Sequence, residues 1–265
     1  MSNPHLPAEM LDRVVDHLYD TKDTLRNCCL VSKSWVPRTR THLFADISFL
    51  TEGCLESWKE TFPDPSTSPA HYTKTLSISC SHVVTAIDAE SGGWIRGFCR
   101  VVDLEVASHG SSAGDSFSLI PFHGLSPTIK SLRVAAPCLP SSRIFDLTLS
   151  FPLLEDLTVV IHETSVESSD EIEGGAIPTA AQPSTSPMFT GTLYLYLQGG
   201  VEPFTHRLLS IPGGIHFRKL ILGLIHDDDP SSIMALMDGC SHTLESLDIS
   251  ADLLGTSTLP LHSHR

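Results

Sequence analysis

Leu11, Val14, Val15 and Leu18 fall at i, i+3, i+4 and i+7, one apolar stripe of an amphipathic helix. Glu9, Asp12, Arg13 and Asp16 lie off that stripe. Pro7 suits the first helical position, where its missing N–H costs nothing. Asp20 to Asp23 is a polar break, with Thr21 or Asp23 as the cap of a second helix. Leu25, Cys28, Cys29 and Ser32 mark its stripe, with Trp35 one turn beyond Val31. Pro37 stops or kinks that helix. A third short helix is expected over Arg38 to Phe44, before Ile47 and Phe49 turn extended.

From Tyr72 the period changes. A Leu-x-apolar motif recurs with central leucines Leu76, Leu104, Leu132, Leu157, Leu193, Leu220 and Leu247, spaced 25–28 residues apart save for one step of 36. Each pair points two side chains to one face of a short strand. One such strand buries nothing alone, so neighbours must stack and share a core. Candidate helical returns lie between them, at Ser231 to Met237 and Trp94 to Cys99. The expectation is an α/β fold: three helices, then an irregular solenoid with a parallel sheet. The spacing resembles that of divergent leucine-rich repeats. The Asn that often closes each turn of such repeats is absent.

Composition narrows the function classes. The 265 residues carry 17 Lys+Arg against 31 Asp+Glu, a formal net charge of −14. Such a chain repels phosphate backbones, which argues against nucleic acid as a partner. Protonating its 14 His, below about pH 6, would erase much of that charge. No run of about 18 apolar residues is present, so no membrane span is expected. No basic start leads into an apolar run, so no signal peptide is expected either. Seven Cys at irregular spacing read as reduced thiols, placing the protein in the cytoplasm or nucleus.

Residues 1–49 resemble an F-box: a Leu6-Pro7 start, the apolar stripe, a Lys33-x-Trp35 end and a His42-Leu43-Phe44 exit. Ser32 stands where many members of that family carry Cys before the basic residue. F-box first and leucine-rich repeats second is the order of one class of F-box proteins. The resemblance implies a non-enzymatic substrate-recognition subunit of a Skp–cullin–F-box ubiquitin ligase, with no cofactor. It implies Skp contacts from Leu6, Pro7, Met10, Leu11, Val14, Leu25, Val31 and Trp35, some of which must instead fill the module's own core. Two other readings stand beside it. The helices cap the repeats of a scaffold unconnected to any ligase, or the His-rich surface serves a hydrolase or metalloenzyme.

Within residues 72–254, the residue after each central leucine faces away from the core. Arg133, Tyr194, Tyr196 and Ile221 are the candidate surface for an unidentified target protein, because Tyr and Arg are favoured at interaction hot spots. The alternative is that these side chains pack under a loop. Residues 50–71 read as a Pro/Ser-rich linker, 163–187 as a disordered insertion and 255–265 as a tail too poor in apolar residues to cap the last repeat. Cys80-Ser81-His82 and Cys240-Ser241-His242 differ in repeat phase, and His226 to Asp229 lacks the Gly and distal Glu of a calcium loop, so no metal site is expected. No Gly-x-Ser-x-Gly elbow, Walker loop or dinucleotide fingerprint occurs.

Overall fold

A computed structural model describes residues 7–79, 94–107, 122, 125, 127–135, 141–162, 188–198, 201–223 and 230–250. Eight strands form one parallel sheet in chain order. They are β1 (Asp46–Phe49), β2 (Thr75–Ser79), β3 (Asp103–Ala107), β4 (Ser131–Ala135), β5 (Asp156–His162), β6 (Thr192–Gln198), β7 (Lys219–Gly223) and β8 (Ser246–Ser250). The register puts all seven central leucines in one row and their i+2 partners in the next. From β2 to β7 these side chains are at most 3% exposed. Each such aliphatic contributes about 1.5–3 kcal/mol relative to exposure. On β8, Leu247 and Ile249 remain 38% and 53% exposed.

One backbone device recurs where strands begin. The Lys74 carbonyl accepts from Val102 and Asp103, Val102 from Lys130 and Ser131, and Lys130 from Glu155 and Asp156. Gly191 and Arg218 do the same for β7 and β8. The returns are unequal. Helices α5 (Ser141–Leu149), α6 (Val201–Leu209) and α7 (Pro230–Gly239) precede β5, β7 and β8, whereas a single 3-10 turn, Ile95–Gly97, precedes β3. Ile144, Leu147, Phe204, Leu208 and Leu236 from these helices join the strand leucines in one core.

The chain opens with α1 (Ala8–Asp16), α2 (Lys22–Val31) and α3 (Val36–Leu43). Pro7 is the N-cap of α1, one residue earlier than expected, and its carbonyl accepts from Met10 and Leu11. Thr21 caps α2, but its hydroxyl donates back to the Leu18 carbonyl. Pro37 does not stop the second helix. It lies in the first turn of the third, the position that tolerates a missing N–H.

Two boundaries move. Ile47-x-Phe49 is the first strand of the sheet rather than the end of the helical unit, pairing with Leu76 and Ile78. The expected linker at 50–71 is folded. Helix α4 (Glu52–Thr61) is capped by Thr51, whose hydroxyl accepts from the Cys54 N–H, and Leu55 is fully buried. The Pro/Ser stretch is organised by the Asp64 carboxylate, which accepts from the Ser66 N–H and hydroxyl at 2.9 and 2.8 Å. It ends in a 3-10 turn, Pro69–Tyr72, with Ala70 buried. The cause is an aromatic hub. Phe49 meets Trp58, Trp94 and Phe98 edge-on at centroid distances of 5.8, 5.8 and 6.1 Å, and Phe44 meets Trp58 at 6.2 Å. Burying those rings outweighs the flexibility that the composition implies. The expected insertion at 163–187, the tail at 255–265 and Leu6 lie outside the described residues. Among the described residues no helix is long and apolar enough to cross a membrane.

Candidate functional site

The first candidate surface is the helical start. Three short helices bury few side chains, and Val15, Leu25 and Cys28 are the apolar ones that are fully inside. Met10 and Val14 lie one turn apart on α1 and are 50% and 49% exposed. Val31, at the end of α2, is 69% exposed, and Pro7 is exposed too. Leu11 and Trp35 are half-buried. Leu25 is a correction: its side chain is sealed inside the module, so it serves the fold rather than a contact. Two exposed apolar residues escaped the sequence reading, Tyr19 and Leu30. Leu30 stands beside Val31 and off the stripe of α2, which was the available signal. Five of the eleven large exposed apolar side chains among the described residues fall between Met10 and Val31. That concentration in a small unit makes the helical start a candidate interaction surface.

An ionic cluster joins α1 to α3. The Asp16 carboxylate accepts from Arg38 Nε and Nη2 at 2.6 and 2.7 Å and lies 2.8 Å from His42 Nε2. The Arg38 hydrogen bonds, and then His42, hold Asp16 well below the usual carboxylate range. The same contact pushes the Arg38 guanidinium up.

The second candidate surface is the sheet face opposite the core. Its central row runs Ser77, Glu105, Arg133, Thr158, Tyr194, Ile221, Asp248. The structure brings Tyr194, Tyr196 and Ile221 together on β6 and β7. Tyr194 stands opposite Ile221, and Tyr196 lies between Val160 and Gly223. Gly223 is needed there, because a Cβ on it would come 2.8 Å from Cδ2 of Tyr196. Both tyrosines and Ile221 are half-buried rather than fully exposed, since rings this broad lie on neighbouring strands. Arg133 is not in that cluster. It stands two strands from Tyr194, about 10 Å away, and its Nε pairs with Glu105 Oε1 at 3.2 Å. Ser77 Oγ donates to the other oxygen of Glu105 at 3.1 Å.

A row of carboxylates marks the strand starts. Burial raises the Asp103 pKa, with Asp156 and Asp46 repelling its charge. Thr51 donates to Cys54 Sγ at 3.2 Å and lowers that exposed thiol, whereas burial raises Cys240. Among the described residues no three His, Cys, Asp or Glu side chains gather closely enough to hold a metal ion. No protein-family model matches the chain, and no curated protein matches it either.

Proposed function

We propose that this protein is a substrate-recognition adaptor: an F-box-like helical start docks on the Skp adaptor of a cullin ubiquitin ligase, and a leucine-rich-repeat-like solenoid holds a target protein. It carries out no bond chemistry. It raises the effective concentration of target near the charged ubiquitin carrier. The observation that carries this reading is the exposed Met10, Val14, Leu30 and Val31 on a unit whose own core is already filled by Val15, Leu25 and Cys28. The parallel strands in chain order at a 25–29-residue spacing support the solenoid half, the single step of 36 being the exception.

The test is co-expression of the full chain with the Skp adaptor, wild type against Met10→Glu/Val14→Glu. Both sites are about half exposed, so the variant should melt near the wild type, which a thermal melt checks. Co-elution of the wild type and its loss in the variant is the expected outcome. A folded wild type that never co-elutes would sink the proposal.

One observation favours a second reading. Phe44, Phe49 and Trp58 tie α3, β1 and α4 into one hub, so the helices also close the β1 end of the sheet. On that reading the protein is a free-standing binding scaffold, and the same experiment separates the two.

A further inference from the structure

Helix α1 is held by little apolar packing. It has nine residues, and Val15 is its one fully buried side chain. Its N-cap, Pro7, makes no side-chain hydrogen bond. A helix this short is not stable by itself in water. Its last residue, Asp16, is locally unfavourable, because an anion at a helix C-terminus opposes the dipole. What Asp16 does instead is tertiary. Its carboxylate takes a two-pronged bond from Arg38 and a contact from His42, residues one turn apart on α3. Asp12, one turn back on α1, adds a second negative charge acting on Arg38. α3 is itself anchored, with Thr39 fully buried and its hydroxyl donating to the Trp35 carbonyl at 2.7 Å.

We infer that Asp16, Arg38 and His42 form a positioning clamp that fixes the angle of α1 against α3, and so presents Met10 and Val14 to the partner. The inference rests on the helical start being a docking surface. Fork-shaped Arg–carboxylate pairs define orientation as well as attraction, which is what a small, thinly packed helix lacks. The clamp residues are positioning residues, and none needs to touch the partner.

The experiment uses the full chain with Asp16→Asn, Arg38→Gln and the double variant. Amide hydrogen exchange of α1 is read in the free protein, and affinity for the Skp adaptor is read separately. In each single variant α1 exchange should rise about tenfold, while β3 to β6 stay protected. Affinity should fall about threefold to tenfold. The double variant should be no worse than Asp16→Asn, since loss of the carboxylate already breaks its contacts with both Arg38 and His42. Asp16→Glu, which keeps the carboxylate, should recover most of the protection. Unchanged α1 exchange in Asp16→Asn, or losses that add in the double variant, would overturn the clamp. If the wild type binds no Skp adaptor, the docking reading falls while the exchange result still decides whether α1 is clamped.

Discussion

Two aspartates illustrate how single residues set opposite pH responses. Asp103 is disfavoured as a charge by burial and by Asp156 and Asp46, so its folded pKa lies above its unfolded one. Its penalty is therefore fully present at neutral pH and is relieved as pH falls through the raised value. Asp103→Ser places there the residue found at the matching position of β4 and β8. It should raise the Tm by about 1–2 °C at neutral pH, a modest gain because water screens a half-exposed group. The gain should shrink in mild acid. Asp16 behaves oppositely. Its folded pKa is depressed, so its stabilisation is present above the ordinary carboxylate range and is lost only in strong acid. Thermal melts of Asp16→Asn should show no smaller a loss near pH 5 than near pH 7. A loss that fades between those values would contradict the assignment. Neither response follows from composition: both residues are ordinary polar positions until the fold gives them neighbours.

At the scale of elements, the junction between the helices and the sheet is the informative part. Leu55, Trp58 and Phe62 stand at i, i+3 and i+7, a helical stripe that was present in the chain. It was hidden by the Pro- and Ser-rich residues that follow. Ile47 stands 29 residues before Leu76, within reach of the repeat spacing, yet Phe49 rather than a second aliphatic completes the pair. Phe49 is 2% exposed and central to the hub, so Phe49→Ala should cost about 3–5 kcal/mol. Urea unfolding followed by tryptophan fluorescence checks this, because Trp58 and Trp94 both touch the Phe49 ring. A cost under about 1 kcal/mol would mean that the hub is not a joint but a chance contact.

For the whole molecule, one sheet carries two opposed faces: the leucine rows lie in the core, and on the proposed reading the opposite face takes the target. On that reading Tyr194→Ala/Tyr196→Ala should lower target capture at a smaller cost in melting temperature than a substitution in the leucine rows, since both rings are half-buried on the face away from the leucine core. Gly223→Ala should displace the Tyr196 ring and mimic part of that loss. Full capture by the double variant would move the target site elsewhere. The repeating leucines made seven of the eight described strands, their parallel stacking and their shared face readable in advance, though Leu247 and Ile249 of the last one stay exposed. A side chain's face along a strand follows from period two alone, and stacking follows from the need to bury it. Long-range packing was not readable. Whether Leu25 served the core or a partner, whether Pro37 ended one helix or began the next, and whether residues 50–71 joined or merely connected all depended on groups distant in the chain. Local pattern specifies which face is apolar. Which partner covers that face is settled by three-dimensional proximity, as Phe49 shows against Trp58, Trp94 and Phe98.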